Sequence, residues 1–237
     1  MKFKNLDERY LAQRRSFSEQ CGPRELWSVI DHWPLYVGIG NLSRFMAIGD
    51  ILRETLDVPG HVAEFGSWRG ANLMFMAKLL RIYDPHGNKQ VHCFESFAGL
   101  ETFSTQDGAA GESEAGTYRG SYEELMGMIS LSDLVDDIVI HKGDIMHTLP
   151  KALDNDGLSF SFVYCDTDLY APSRLILDSI HPRLSKGGVF VMDEWNYDKW
   201  PGEAVAVREF LENHVDSYEM FHVRNARQPS LVLKKVR

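Results

Sequence analysis

A short apolar strand that leads into a glycine turn and then an apolar helix constrains the fold of this chain more than any other segment. The residues before the turn end at Glu64, the spacing Glu-x-Gly-x-x-x-Gly continues through Gly66 and Gly70, and an apolar run begins at Ala71. Glycines at such a turn let the backbone approach a ligand at the mouth of an open α/β sheet. The spacing differs from the Gly-x-Gly-x-x-Gly that cradles a dinucleotide. With an acid beside it, this turn suits a nucleoside that carries an amino-acid tail, a description that fits S-adenosylmethionine.

Predicted strands and helices alternate along most of the chain. Strands are predicted at 61–65, 91–94, 138–141, 160–165, 188–192, 219–223 and 230–234. Helices are predicted at 6–19, 42–56 and 203–213, from Ala71 and from Pro172, with a Gly/Pro-punctuated loop at 33–40. This order predicts an α/β fold with a Rossmann-like methyltransferase core. We expect a seven-stranded, mostly parallel sheet with an antiparallel C-terminal hairpin at its edge and helices on both faces.

The 237 residues are enough for one large α/β domain. We expect an N-terminal helical and loop extension at 1–40 and a methyltransferase domain at 41–237. Residues 103–120 are rich in Gly, Ala, Ser and Glu, which is typical of a mobile functional loop, so a lid is predicted there.

Composition excludes several partners. The net charge of −9 without a Lys/Arg run argues against nucleic acid. The three cysteines form no Cys-x-x-Cys pair, the N-terminus lacks an apolar leader, and no segment is long enough to span a membrane. We therefore expect a cytoplasmic protein with reduced cysteines and no membrane partner. The weakly amphipathic N-terminal region is a candidate contact surface for a homo-oligomer such as a dimer.

Carboxylates follow each of the first five predicted strands. They are Glu64, Glu95, Asp144, Asp166 and the pair Asp193-Glu194. The carboxyl ends of parallel strands meet at one edge of a sheet, where the ligands of such folds bind.

Two of these acids are candidate cofactor contacts. Glu95 lies one βαβ unit beyond the glycine turn, where an acid commonly binds ribose hydroxyls; a polar strand end is the alternative. Asp144 follows Gly143 and is suited either to the adenine amine or to a turn. The predicted cofactor-binding residues are Glu64, Gly66, Ser67, Gly70, Glu95, Ser96, Gly143, Asp144 and Asp166.

The densest acidic group combines Asp166-Thr167-Asp168 with Asp193-Glu194. Carboxylates at such close quarters repel one another unless a cation neutralises them, and hard oxygen ligands select Mg²⁺ or Ca²⁺. A bound Mg²⁺ would lower the pKa of a substrate hydroxyl, with Asp166 as both ligand and candidate catalytic base. Two polar loops without a metal are the alternative.

Histidines and aromatic residues add weaker candidates. His141, His147 and His222 are possible general bases, although a lone histidine is more often structural. An aromatic segment suited either to stacking on a sugar or to packing follows the acidic pair, at 195–201.

Four motifs in order resemble the macrocin O-methyltransferase (TylF-like) family of S-adenosylmethionine-dependent sugar O-methyltransferases. They are Glu-Phe-Gly-Ser-Trp-Arg-Gly-Ala-Asn at 64–72, Phe-Glu-Ser-Phe-Ala-Gly-Leu at 94–100, Asp-Thr-Asp-Leu-Tyr at 166–170, and the segment from Gly187-Gly188 through Asp193-Glu194 to Trp-Pro-Gly at 200–202. The resemblance extends from about residue 41 to the last strand.

The resemblance implies a class I methyltransferase fold, Mg²⁺ dependence and methyl transfer to the hydroxyl of a small-molecule sugar or glycoside. It also implies Asp166, Asp193 and Glu194 as metal ligands, with Asp166 as base. The chain departs from the family in carrying Glu194 and Glu95 where Asp is usual. The Asp-Glu pair is also similar to that of the related cephalosporin hydroxylase-like proteins.

Competing interpretations belong to other classes. A nicotinamide-dependent oxidoreductase is disfavoured by the glycine spacing and the closing hairpin. An O-methyltransferase of a non-sugar diol or catechol would use the same metal chemistry. A methyltransferase-like protein that binds the cofactor without catalysis is the third alternative.

Overall fold

The computed structural model describes residues 3–108, 113–195 and 197–237. Its strands are β1 (His61–Phe65), β2 (Val91–Glu95), β3 (Ile138–Lys142), β4 (Phe160–Cys165), β5 (Leu184–Met192), β6 (Tyr218–His222) and β7 (Leu231–Lys235). Its helices are α1 (Lys4–Cys21), α2 (Leu26–Asp31), α3 (Trp33–Tyr36), α4 (Ile39–Glu54), α5 (Ala71–Tyr83), α6 (Tyr122–Leu131), α7 (Ile145–Leu153), α8 (Tyr170–Ile180) and α9 (Pro201–His214).

The strands form one sheet in the order β3-β2-β1-β4-β5-β7-β6. Strands β1 to β5 pair in parallel, and β7 pairs antiparallel with both β5 and β6. The predicted mostly parallel sheet with an antiparallel C-terminal hairpin is thus confirmed. Within this hairpin β7 lies next to β5 and carries the buried Leu231 and Leu233, and the largely exposed β6 is the edge strand. Strand order reverses between β1 and β4, which opens a crevice at their carboxyl ends.

Helices cover both faces of the sheet. On one face α4, α5 and α6 contribute Ile48, Met76 and Ile129 to a buried cluster with the strands. On the other face α7, α8 and α9 contribute Leu149, Ile176 and Phe210 to a second cluster. Apolar runs such as Phe-Ser-Phe-Val-Tyr-Cys in β4 are buried along their whole length because both faces are covered.

The loop predicted at 33–40 is wrong, because α3 begins at Trp33 and α4 at Ile39. Pro34 is compatible with the first turn of a helix, whose N–H groups lack intrahelical partners. Helix α1 confirms the prediction at 6–19; none of its residues is buried, and the Asp7 carboxylate accepts a 3.0 Å hydrogen bond from the Gly40 N–H in α4. Helices α6 and α7 were not predicted. Within the described ranges, no helix combines the length and apolarity needed to cross a bilayer.

Candidate active site

A cleft of about 410 Å³ opens at the carboxyl ends of the strands, where the strand order reverses. Of the predicted site residues, the cleft is lined by Gly66, Glu95, Ser96, Asp144, Asp166, Asp193 and Glu194. The other four predicted residues are not among those that line the cleft: Glu64, Ser67, Gly70 and Gly143. The structure therefore places the acids from four strand ends around one cleft. They are Glu95 at the end of β2, Asp144 after β3, Asp166 after β4, and Asp193 and Glu194 after β5.

The glycine turn requires glycine for its close contact with β4. Gly66 has φ of +84°, and a Cβ at this position would lie 1.9 Å from the Asp166 carbonyl oxygen. Gly70, at the start of α5, has φ of +81°, and its Cβ would lie 2.5 Å from Leu125 Cδ1. Because neither glycine carries a side chain, the turn lies directly against Asp166 at Gly66 and against Leu125 of α6 at Gly70.

Glu64 lies beneath the turn, completely buried. Its Oε2 accepts a 2.6 Å hydrogen bond from the Ser67 hydroxyl, and its Oε1 has no partner among the described residues. Burial raises the pKa of Glu64 to about 7. A ligand with a hydrogen-bond donor would satisfy this oxygen.

Glu95 joins two turns at the wall of the cleft. Its Oε2 accepts a 2.8 Å hydrogen bond from the Trp68 N–H, and its Oε1 accepts one of 2.8 Å from the Phe97 N–H. The Ser96 hydroxyl also donates to Oε1, at 3.4 Å, so that Oε2 keeps a second lone pair for a ligand hydroxyl. This buried, fixed acid is compatible with the predicted ribose contact.

Asp144 has the position of a helix cap and also faces the cleft. Its Oδ1 accepts a 2.9 Å hydrogen bond from the Met146 N–H at the start of α7. The turn and ligand alternatives for Asp144 are therefore compatible with each other. Gly143, with φ of +133°, makes the bend between β3 and Asp144.

Three carboxylates converge at the base of the cleft. Asp166, Asp168 and Glu194 each offer an oxygen, and these oxygens all lie within 4.8 Å of one another. The pKa of each is raised, first by burial and then by the charge of Asp193; Asp168 reaches about 7. Glu194 Oε2 is buried without a partner among the described residues. A divalent cation fits this set, because it would neutralise the repulsion and take up the unpartnered oxygen.

Asp193, the third predicted metal ligand, has other partners. Its Oδ2 lies 2.9 Å from Arg44 Nη2, and its Oδ1 accepts a hydrogen bond from the Tyr164 hydroxyl. Arg44 Nη1 also lies 3.4 Å from Asp166 Oδ2. Asp193 is 1% exposed, so its charge is balanced within the protein. Sequence reasoning missed Arg44, because no pattern on α4 marks a partner 149 residues away.

Asp168 was part of the acidic motif but was not predicted as a ligand. Two residues after Asp166, it would share a face with it in a continuing strand, but the strand has ended and Asp168 adopts φ of +62°. The positive φ of a non-glycine residue is uncommon and marks a specific local geometry. The Asp-x-Asp spacing was the available signal.

Two side chains hold Glu194 in place. Glu203 Oε1 accepts a 2.7 Å hydrogen bond from the Glu194 N–H, and the Gln228 side-chain amide donates to Glu194 Oε1. Glu203 Oε2 is buried without a partner in the described part of the chain, and burial raises the Glu203 pKa. Neither residue carried a sequence signal that separated it from ordinary helix or loop residues.

Three aromatic residues that line the cleft, Trp68, Tyr118 and Trp200, form what we call the aromatic wall. Trp68 and Tyr118 meet edge to face at 5.6 Å between ring centroids, and Tyr118 lies 6.4 Å from Trp200. Tyr118 belongs to the predicted lid, whose Glu114 forms a 2.8 Å ion pair with Lys199. Residues 109–112 of that segment lie outside the described residues.

None of the three histidines predicted as possible bases is among the residues that line the cleft. His141 stacks on Phe94, 4.2 Å between centroids, and His147 lies 3.5 Å from Asp144 at an exposed position. His222 is exposed on β6. Of the aromatic segment, Tyr197 and Trp200 line the cleft, and Trp195 packs beneath Arg208.

The sheet order and the cleft at its switch point define a Rossmann-like methyltransferase fold. The sequence model of the macrocin-O-methyltransferase (TylF) family matches residues 33–226, most of the chain. The chain belongs to this family.

Curated relatives share just over a quarter of their residues with the chain. Demethyldecarbamoylnovobiocin O-methyltransferase of Streptomyces niveus is 28% identical over 175 residues, which cover 69% of this chain and 64% of the relative. Mycinamicin III 3''-O-methyltransferase of Micromonospora griseorubida is 28% identical over 174 residues, covering 70% and 66%. The matches span less than two thirds of each relative's own length.

A solved structure extends the likeness over nearly the whole chain. CalS11, a calicheamicin methyltransferase, superposes with a TM-score of 0.82 at 25% identity, covering 97% of this chain and 92% of CalS11. The O-methyltransferase NovP, at 23% identity and a TM-score of 0.69, shares the fold.

Proposed function

We propose that this chain transfers a methyl group from S-adenosylmethionine to a hydroxyl of a sugar, with Mg²⁺ bound by the carboxylates. The sugar is free, nucleotide-linked or part of a natural product or polysaccharide. One observation carries the proposal: a single cleft joins the glycine turn and Glu95 to three converging carboxylates. A sugar acceptor is supported by a further relative, the 8-demethyl-8-(2,3-dimethoxy-alpha-L-rhamnosyl)-tetracenomycin-C 4'-O-methyltransferase of Streptomyces olivaceus, which is 29% identical over 149 residues and whose name includes a rhamnosyl group.

The cofactor would lie across the switch point. Gly66 admits it to the backbone, Glu95 and Ser96 face its ribose, and Asp144 faces its adenine. Glu64 Oε1 is a buried acceptor without a partner in the described part of the chain, and, because Glu64 lies outside the cleft lining, the cofactor's amino group would reach it only if the glycine turn moved. Ser67, Gly70 and Gly143 shape the turns that hold these contacts.

The metal would be held by Asp166, Asp168 and Glu194, with Asp193 as a neighbouring charge balanced by Arg44. When bound, Mg²⁺ supplies positive charge that lowers the pKa of a nearby acceptor hydroxyl. The ligand set that the resemblance implies, with Asp193 in place of Asp168, would bring the cation to a carboxylate that already pairs with Arg44 and Tyr164.

The chain's own residues do the remaining work. Asp166 would take the proton of the acceptor hydroxyl, whose oxygen could then accept the methyl group that bound S-adenosylmethionine would supply, with S-adenosylhomocysteine as the other product. Glu203 and Gln228 fix Glu194, and the aromatic wall of Trp68, Tyr118 and Trp200 limits water access. Most of the rate enhancement comes from this positioning.

Calorimetric titration with S-adenosylhomocysteine, with and without Mg²⁺, tests the proposal. Micromolar binding is expected in wild type and in Asp166→Asn, while only wild type transfers methyl groups to a sugar acceptor. Absence of binding at every Mg²⁺ concentration would remove the cofactor assignment. Normal turnover by Asp166→Asn would remove Asp166 as base.

The aromatic wall favours one second candidate, an O-methyltransferase of a flat aromatic diol. The exposed rings of Trp68 and Tyr118 would stack on such a ring, while Trp200 is buried behind Tyr118. Parallel assays with catechol and with sugar acceptors separate the two, since activity on catechol alone would replace the sugar proposal.

A further inference from the structure

The turn between β6 and β7 brings a cation into the cleft. Arg227 and Gln228 both line the cleft, although neither was predicted to be functional. Both residues lie beyond residue 226, where the match to the family model ends. The family match therefore does not bear on these two residues.

Among the described residues, Arg227 differs from Arg44, the other arginine that lines the cleft, and from the neighbouring Lys199 in having no acidic partner. Arg44 is committed to Asp193 and Asp166, and Lys199 to Glu114. The half-buried Arg227 donates a 3.0 Å hydrogen bond to Gln228 Oε1, and no carboxylate of the described ranges pairs with it. A guanidinium held partly out of water and not directly paired with a carboxylate has free N–H donors, which are suited to an anionic ligand.

Arg227 is connected to Glu194, one of the three converging carboxylates, through the side chain of Gln228. Gln228 accepts from Arg227 through Oε1 and donates to Glu194 through Nε2. One amide side chain thus separates the Arg227 cation from the carboxylate cluster. A single sugar-sized ligand can present a hydroxyl to the cluster and an oxyanion to Arg227.

We propose that Arg227 binds an oxyanion carried by the sugar acceptor, either a phosphate ester or a carboxylate substituent. This inference rests on the proposed function and narrows its substrate class to acidic sugars. The planar guanidinium fork matches both phosphate and carboxylate oxygens through paired hydrogen bonds. Gln228 aligns the fork while it holds Glu194.

Equilibrium binding measured by NMR titration tests the inference with three probes that share one ring. These are α-D-glucose 1-phosphate, glucuronic acid and the neutral methyl glucoside. Each is titrated into wild type, Arg227→Met, Arg227→Lys and the control Arg208→Met, with S-adenosylhomocysteine and Mg²⁺ present. Arg208 is a matched control because it is an exposed arginine that packs over Trp195, outside the cleft lining.

At least one anionic probe is expected to bind wild type about tenfold or more tightly than methyl glucoside. Arg227→Met should lose that preference, Arg227→Lys should retain part of it, and Arg208→Met should match wild type. Stronger binding of the phosphate or of the carboxylate identifies the source of the oxyanion. Equal or undetectable binding of all three probes, or an unchanged preference in Arg227→Met, overturns the inference. Binding of S-adenosylhomocysteine alone reports separately on the proposed function.

Discussion

A row of histidines on one face of the sheet should make stability depend on pH. His61, His92 and His141 stand on β1, β2 and β3, with ring centroids 5.2 Å apart for the first pair and 5.3 Å for the second. His92 is 7% exposed, and its Nδ1 lies 3.0 Å from His141 Nε2. Its Nε2 has no partner among the described residues. Burial, and then the neighbouring imidazoles, lower the pKa of His92 to about 3.

The sign follows from the unfolded chain, in which a histidine has a pKa of about 6.5. Because the folded pKa is depressed, the unfolded state takes up the proton first as pH falls below that value. The stability that the neutral ring provides at pH 7 is therefore lost progressively toward pH 3. Linkage gives a loss of about 2 kcal/mol between pH 7 and pH 5 from His92 alone.

Urea unfolding at pH 7, 6 and 5 measures the free energy of unfolding of wild type and of His92→Gln, and hence the loss of stability as pH falls. Buried carboxylates with raised pKa values, such as Glu64 and Asp168, act in the opposite direction, but they are common to both proteins and cancel in the difference. The stability difference should move by about 2 kcal/mol in favour of the variant as pH falls. His147→Gln, at an exposed position, should leave the wild-type profile unchanged. Parallel profiles for wild type and His92→Gln would refute the reasoning.

Three further substitutions test the site. Asp168→Asn should weaken the binding of Mn²⁺, used in place of Mg²⁺, by about tenfold or more, because it removes one of three converging carboxylate oxygens. Electron paramagnetic resonance measures this affinity, and an unchanged value would contradict that ligand set. Gly66→Ala should cost about 2 kcal/mol or more in urea unfolding, because its Cβ would meet the Asp166 carbonyl at 1.9 Å, and an unaltered midpoint would speak against the close contact. Arg44→Met should cost about 3 kcal/mol in thermal unfolding by leaving the buried Asp193 charge unpaired. Adding Asp193→Asn should restore part of that loss, and strictly additive losses would exclude the pairing.

Local pattern was sufficient for the frame of the fold. The alternation of apolar runs with helical periods predicted the succession of strands and helices along the chain. The acids that follow the strands predicted a site at one edge of the sheet. Glu95, Asp166 and Glu194 lie in the same cleft because the carboxyl ends of parallel strands meet by geometry alone. The short helix at Trp33–Tyr36 was missed because Pro34 is compatible with either a loop or a first helical turn.

The division of roles among the carboxylates was decided only by tertiary structure. Asp193 and Asp168 carry the same side chain at neighbouring strand ends, yet one is paired with Arg44 and the other joins the converging oxygens. This difference between Asp193 and Asp168 depends on the position of Arg44 on α4 and on the backbone turn at Asp168. Both are set by packing between segments far apart in the chain, so nothing local to either aspartate distinguishes them. Sequence by itself determined which strand ends carry acids; the assembled fold decided which of those charges are neutralised from within and which face a ligand.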